Sequence, residues 1–233
     1  MAPTRVSDTR AGPGPLVAGA PGTVDFTDVV GIDSAHLTAV VLNVTVTGAS
    51  TGGYLTVHPG GAPSPRRLEP NFTAGQTVPN AVVTGVDAAG RAALFNLLGS
   101  VHVIVDIVGW YDDGQPTDGL RFHELAPSRI VDTRSAGKGP LGAAGRHQWS
   151  RAAPVPAEAE AVALNVTVTE ATGLGFLTVY PAGPLPGCRR GTPARGLTRA
   201  NHALVPLGAS DEVEASNSTG SAHLVYDVVG WFG

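Results

Sequence analysis

The chain of 233 residues carries one set of motifs twice, and this duplication limits the possible folds more than any other feature. The recurring segments are Pro-Thr-Arg-Val-Ser-Asp-Thr-Arg at 3–10 and Pro-Ser-Arg-Ile-Val-Asp-Thr-Arg at 127–134, Leu-Asn-Val-Thr-Val-Thr at 42–47 and 164–169, and Asp-Ile-Val-Gly-Trp-Tyr at 106–111 and Asp-Val-Val-Gly-Trp-Phe at 227–232. Equivalent positions lie 124 residues apart at the start of the copies and 121 at their end, so few insertions separate them. A repeat this long predicts two domains of related structure.

The two copies are joined by a segment with the composition of a linker. Each copy spans about 110 residues, an ordinary domain size. Between them, residues 112–119 are acidic and contain Gly and Pro, which favours a surface connection over a packed element. We therefore predict a first domain over residues 1–113, a linker over 114–124 and a second domain over 125–233.

The hydrophobic pattern inside each copy has the period of a β-strand. From Val101 to Val108, side chains alternate between a face of Val101, Val103, Val105 and Ile107 and a face with His102 and Asp106. Further strand candidates in the first copy are Arg5–Thr9, Thr23–Val29, Tyr54–His58, Ala81–Val86 and Ala92–Leu97. About seven short strands per copy, separated by Gly, Pro and Asn turns, are typical of a sandwich. We predict an all-β protein with two tandem antiparallel β-sandwich domains of similar topology, related by internal duplication.

Charge and composition argue against several classes of partner. The net charge of -4 and the absence of a Lys/Arg run remove the electrostatic footprint of a nucleic-acid-binding protein. The sequence has no uninterrupted apolar stretch of about 18 residues that would predict a membrane span. The single cysteine, Cys188, permits no internal disulfide, and the seven histidines show no metal-ligand spacing. We expect no nucleic-acid partner, no membrane partner, no metal and no cofactor.

An aspartate lies within the last apolar strand of each copy, at Asp106 and Asp227. A carboxylate there is costly unless it is paired, so we predict that an arginine of the Asp-Thr-Arg segment bridges to it. A catalytic carboxylate pair is the alternative. We favour the structural interpretation because both copies keep the same set. The predicted structural residues are Asp8, Arg10, Asp106, Trp110, Asp132, Arg134, Asp227 and Trp231.

A hydrolytic site could be drawn from the histidines of the same strands. His102 and His223 each precede the strand aspartate by four residues, and Ser100 and Ser221 lie nearby. The sequence has no Gly-x-Ser-x-Gly elbow that would position a nucleophile. We therefore predict no catalytic residue and no enzymatic activity. The competing hydrolase hypothesis predicts that His102→Ala abolishes an activity while the fold survives.

Arginine pairs occupy equivalent Pro-rich loops of the two copies. In a chain this poor in charge, they could meet a carboxylate-rich protein face or an acidic polymer, although a solvated loop is the simpler explanation. Trp149 has no equivalent in the first copy and is either an exposed contact or a core residue. The candidate partner-binding residues are Arg66, Arg67, Trp149, Arg189, Arg190, Arg195 and Arg199.

The repeated Asp-Thr-Arg, Asn-Val-Thr-Val, Leu-Thr-Val-x-Pro and Gly-Trp-aromatic motifs together resemble the tandem repeat module of secreted actinobacterial proteins. The resemblance covers nearly the whole chain. It implies export and a non-catalytic accessory role. The first ten residues lack the apolar core of a signal peptide, so we expect the signal peptide to lie outside this sequence. Size and the two-unit layout are also similar to the adaptor subunits of umbrella toxin particles, which join a lectin subunit to a toxin-bearing scaffold.

Two functional hypotheses follow from these observations. The first is a secreted, non-catalytic adaptor or scaffold that links other secreted proteins, such as lectin-like or scaffold and toxin subunits, in an extracellular complex. The second is a cell-wall or carbohydrate-binding accessory module. The second predicts that the chain sediments with insoluble cell wall and that Trp149→Ala releases it.

Overall fold

The computed structural model of the protein is almost entirely β-structure, with one four-residue helix in the part of the chain it describes. The chain divides between Gly119 and Leu120 into two compact units, here called the first unit and the second unit. Each unit is built from antiparallel sheets, which confirms the predicted fold class. The described residues are 3–30, 34–62, 71–115, 119–135, 137–186, 196 and 198–233.

The described residues of the first unit form two antiparallel sheets. One sheet has the strand order β1-β9-β4-β7, with β2 beside β9, and the other has the order β3-β8-β5-β6. A short helix, α1, lies between β3 and β4. The bounds are β1 Thr4–Asp8, β2 Leu16–Val17, β3 Pro21–Asp25, α1 Thr27–Val30, β4 Leu37–Thr47, β5 Gly53–Pro59, β6 Asn71–Phe72, β7 Val78–Gly85, β8 Arg91–Asn96 and β9 Ser100–Asp112.

The prediction of one strand in the first unit was partly wrong. The candidate Thr23–Val29 splits, because β3 ends at Asp25 and α1 begins at Thr27. The Asp25 carboxylate accepts hydrogen bonds from the Thr27 N–H at 3.0 Å and from the Thr27 hydroxyl at 2.7 Å. Such a local side-chain contact competes with the strand ladder and turns the chain.

The core of the first unit is formed by alternate residues of the long strands. Val101, Val103, Val105 and Ile107 of β9 belong to the same buried cluster. They are the face that the sequence alternation predicted. Burial of this face fixes the strand register, because a shift of one residue would expose the whole set to water.

The second unit repeats this layout. One sheet has the strand order β10-β16-β12-β14, and the other has the order β11-β15-β13. Strand β10 begins inside the segment predicted as a linker, 114–124, and the Arg121 and Gly233 backbones just outside the strands exchange hydrogen bonds at 3.1 and 3.2 Å. The bounds are β10 Phe122–Asp132, β11 Arg146–Ser150, β12 Ala161–Thr169, β13 Leu177–Pro181, β14 Arg199–Pro206, β15 Glu212–Asn217 and β16 His223–Phe232.

The two units also share their irregularities. The pairing of β4 with β9 shifts register between Val41 and Leu42, and the pairing of β12 with β16 shifts between Ala163 and Leu164. Bulges at equivalent positions bend both final strands in the same place. The Gly-Trp-aromatic motif follows this bend in each unit.

Candidate functional sites

The buried aspartate of each final strand forms an ion pair with an arginine of the first strand. Arg5 Nε donates to Asp106 Oδ1 at 2.9 Å, and Arg129 Nε donates to Asp227 Oδ1 at 2.9 Å. The side chain of Asp106 is 1% exposed, whereas that of Asp227 is 23% exposed. The pair therefore joins two neighbouring strands in both units, but only the first unit removes the carboxylate from water.

The prediction that Arg10 and its equivalent would bridge to these aspartates was wrong. Arg5 lies directly opposite Asp106 in the ladder between β1 and β9. Arg10 instead follows β1 in a turn, where its side chain folds back onto Asp8. The correct partner is set by the cross-strand register, which places opposed side chains about 5 Å apart.

The Asp-Thr-Arg motif closes a turn through its own charged side chains. Arg10 Nε and Nη2 donate to the Asp8 carboxylate at 2.9 and 2.6 Å, and the Arg10 N–H donates at 3.1 Å. Hydrogen bonds from the Arg10 side chain are the main reason that the pKa of Asp8 falls to about 2. Arg134 makes the same contacts with Asp132 and likewise lowers the pKa of that carboxyl.

The threonine of the same motif binds the strand histidine. Thr9 Oγ1 lies 3.1 Å from His102 Nδ1 and accepts the N–H of Val103 at 2.9 Å. Thr133 repeats the histidine contact, at 3.0 Å from His223 Nδ1. Four residues along a strand correspond to about 13 Å, which is too far for His102 to hydrogen bond to Asp106. The histidines thus anchor the turn, and His102 does not pair with Asp106 as a Ser-His-Asp triad requires.

A buried asparagine organises one end of each unit. Asn96 Nδ2 donates to the carbonyls of Leu16, Leu98 and Gly99 at 3.2, 3.1 and 3.1 Å. Asn217 also donates to three carbonyls, those of Leu141, Gly142 and Gly220, at 3.0, 3.2 and 3.1 Å. The sequence pattern predicts asparagine in the turns between strands and gives these two residues no other role. Their buried amides join the last hairpin turn of each unit to a segment about 80 residues earlier.

We call this region the hairpin end. It comprises residues 16–19, 49–52 and 97–100 in the first unit and residues 141–142, 171–174 and 218–221 in the second. The loop and the hairpin are joined by a hydrogen bond from the Ser100 N–H to Ser50 Oγ at 2.9 Å, and from the Ser221 N–H to Thr172 Oγ1 at 2.8 Å. Hydrogen bonds therefore hold the loops of the hairpin end together in both units.

Aliphatic side chains are exposed on both hairpin ends. Val17 and Leu98 are each 51% exposed in the first unit, and Leu174 is 76% exposed in the second. Single exposed aliphatic residues are common, but these stand on loops that buried polar contacts hold in place. The arrangement offers a preordered apolar contact at the same end of each unit.

The candidate partner-binding residues lie in different surroundings, and some of them lie outside the described residues. Trp149 is 8% exposed and belongs to the core of the second unit, so the expectation of an exposed contact was wrong. It lies opposite Val213 in the pairing of β11 with β15, on the face turned to the core. Arg199 is half-buried at the start of β14. Arg66, Arg67, Arg189, Arg190 and Arg195 lie outside the described residues.

The predicted structural tryptophans flank both cores. Trp110 and Trp231 are half-buried, and each packs against the buried cluster of its own unit. Their placement extends the core toward the end of the final strand, opposite to the hairpin end. The adjoining aromatic residues, Tyr111 and Phe232, follow them in the strand.

The second unit packs a half-buried histidine, His147, against a buried tyrosine, Tyr226. The rings of His147 and Tyr226 meet edge to face, with centroids 6.2 Å apart. Burial lowers the pKa of His147, and the charge of Lys138 adds to this effect. Burial also raises the pKa of Tyr226 well above its usual value. Both groups are therefore neutral near pH 7, as a mostly apolar interior requires.

Among the residues that the structure describes, no three His, Cys, Asp or Glu side chains are grouped so that they could hold a metal ion. Within those residues, no helix is long and apolar enough to cross a membrane.

Comparisons with known proteins give no family for the chain. No protein-family model matches it, and no curated protein matches it. Among solved structures it is similar to the tandem CBM22-1-CBM22-2 domain of Xyn10C from Paenibacillus barcinonensis, with 11% identity, 93% of this chain and 85% of that chain covered, and a TM-score of 0.27. It is also similar to the STIV MCP, with 8% identity, 98% and 95% covered, and a TM-score of 0.24. Neither similarity indicates a function for this chain.

Proposed function

We propose that the protein is a secreted, non-catalytic adaptor that links other extracellular proteins through its two units. The observation that carries the proposal is the exposure of Val17 and Leu98 in the first unit and of Leu174 in the second, on hairpin ends that hydrogen bonds hold together. Protein interfaces have an apolar centre, and residues on preordered loops lose little entropy when they bind. Two such surfaces on one chain can hold two partners together.

The polar groups of the repeated motifs support a non-catalytic role. The cross-strand Arg–Asp pair, the Arg–Asp contact within the turn and the Thr–His contact occur in both units with nearly the same distances. Contacts that occur in both copies and join the first strand to the last are expected to stabilise the fold. The same resemblance that implies export also places such units beside larger secreted proteins.

A cell-wall or carbohydrate-binding module is the alternative. Sugar rings usually stack on exposed aromatic side chains. Trp149 is buried and cannot supply such a platform, whereas Tyr111 and Phe122 are the exposed large aromatics of the described residues. If this alternative holds, the chain sediments with insoluble cell wall, and Tyr111→Ala or Phe122→Ala lowers the bound fraction while Trp149→Ala acts only through stability.

Affinity capture from culture fluid of the producing organism tests the proposal. The tagged chain should recover one or two secreted proteins in stoichiometric amounts, identified by mass spectrometry. Leu98→Ser should remove a partner of the first unit, and Leu174→Ser a partner of the second. Val83→Ser and Leu185→Ser are matched controls, because both side chains are exposed outside the hairpin ends. Recovery of the bait alone would reject the adaptor function.

A further inference from the structure

Two polar atoms inside the second unit have no hydrogen-bond partner among the described residues. They are Tyr226 Oη and His147 Nδ1, and both atoms are buried. Tyr226 is 0% exposed as a whole residue and belongs to the apolar cluster between the two sheets of the unit. Burial of a hydroxyl or a ring nitrogen without a partner is costly, so folded proteins satisfy almost all such groups with a protein atom or an ordered water molecule.

The first unit has no polar side chain at either of the equivalent positions. The repeated motif aligns Tyr226 with Val105, and strand register aligns His147 with Gly22. Val105 is fully buried in the core of the first unit, as Tyr226 is in the core of the second. The same framework therefore holds an apolar pair of positions in one unit and a polar pair in the other.

The polar pair lies between the two sheets of the second unit. His147 belongs to β11 and Tyr226 to β16, and their rings meet edge to face with centroids 6.2 Å apart. His147 lies opposite Ala215 in the ladder, whereas Gly22 lies opposite Leu94. The methyl group of Ala215 takes less space beside the imidazole than a leucine side chain would. The two polar atoms thus share one small polar region of the interior.

The chemistry of the two groups indicates a small neutral ligand. Both groups are neutral near pH 7, and the charge of Lys138 helps to lower the pKa of His147, which makes the region unfavourable for a cation. A phenol can donate or accept a hydrogen bond, and a neutral imidazole nitrogen does one or the other according to its tautomer. Water donates and accepts, so it suits either tautomer, and buried waters bind otherwise unsatisfied polar groups.

We propose that the interior of the second unit binds an ordered water molecule that bridges Tyr226 Oη and His147 Nδ1. This bridge links the sheet that contains β16 to the sheet that contains β11. The first unit has no such site at the equivalent positions, because Val105 and Gly22 offer no polar side-chain atom. The inference goes beyond the adaptor function and does not depend on it.

Tyr226→Phe tests the site by its effect on stability. The variant removes one oxygen and keeps the ring, so the core stays filled. If the hydroxyl binds water, its loss should lower the folding equilibrium constant of the second unit by about tenfold. Hydrogen exchange read by mass spectrometry measures this in the full chain. Tyr111→Phe is the matched control, because Tyr111 is exposed, and it should change nothing. An unchanged or raised constant in Tyr226→Phe would mean that the hydroxyl has no partner and would overturn the inference.

A double-mutant cycle with His147→Leu tests whether one water serves both groups. In the His147→Leu background the water has lost its second protein partner, so Tyr226→Phe should no longer lower the constant by about tenfold. The same loss in both backgrounds would show that the two groups have separate partners, and the bridge would be wrong.

Oxygen-17 relaxation dispersion counts the long-lived internal waters of the full chain directly. The method follows the water oxygen, so exchange of the tyrosine proton does not contribute. Tyr226→Phe and His147→Leu should each lower the count by one, and Tyr111→Phe should not change it. A count that Tyr226→Phe leaves unchanged would overturn the inference. The long-lived waters would then lie elsewhere, for example at Asn217 Oδ1, which also lacks a described partner.

Discussion

The Arg5–Asp106 pair of the first unit and the Arg129–Asp227 pair of the second have the same atoms at the same 2.9 Å distance. They differ in their surroundings, because Asp106 is buried and Asp227 is partly exposed. A duplicated motif thus preserves the contact but not its contribution to stability, which depends on how far the charges are removed from water.

The cores of the two units also differ, in the size and polarity of the side chains at equivalent positions. Trp149 and His147 of β11 correspond by register to Val24 and Gly22 of β3. The second unit therefore places larger and more polar side chains in the same framework. This difference allows each unit to serve as the control for the other.

The largest expected effect comes from Trp149→Ala. Removal of a buried indole should destabilise the second unit by about 3–5 kcal/mol, whereas Val24→Ala should cost the first unit about 2 kcal/mol. Hydrogen exchange read by mass spectrometry reports each unit separately in the full chain. Unchanged protection of the second unit would show that Trp149 is not a core residue.

The ion pairs should respond unequally to loss of the arginine. Arg5→Ala leaves the Asp106 carboxylate buried without its cation and should destabilise the first unit by about 3 kcal/mol. Arg129→Ala should change the second unit little, because water can solvate Asp227. Denaturant unfolding of both variants measures the difference. Equal losses would mean that solvent exposure does not distinguish the two pairs.

The buried asparagines should behave alike. Asn96→Ala and Asn217→Ala each remove the amide that binds three carbonyls, and each should destabilise its own unit by about 2 kcal/mol. Exchange of the hairpin-end amides should accelerate in the mutated unit only. A clear inequality between the two variants would argue against equivalent hairpin ends.

The smallest effect should be the pH dependence that His147 gives to the second unit below about pH 6.5. Burial lowers the pKa of His147 below its usual value of 6.5, so the unfolded chain takes up a proton before the folded chain does. The resulting loss of stability begins as the pH falls below 6.5 and is complete below the folded pKa. Unfolding at about pH 7.5 and about pH 5 should show this loss in the wild type and less of it in His147→Leu. The same slope in both would exclude His147 as the cause.

The polar sites show where sequence reasoning succeeded and where it stopped. The motifs identified the charged residues that recur, and strand alternation placed Val103 and Asp106 on opposite faces. The partner of Asp106 depended on register across residues far apart in the chain, which the spacing inside Asp-Thr-Arg does not encode. The arginine loops at Arg66 and Arg189 lie outside the described residues and remain predictions.

The sequence by itself determined the duplication, the all-β class and the inward face of β9, because repeats and alternation are local properties of the chain. Only the tertiary structure decided that Trp149 is buried, that Asp106 loses its water and Asp227 does not, and that Phe122 covers Gly230. Each of these depends on what a distant segment places over a residue, and that arises only when the strands pair and the sheets pack.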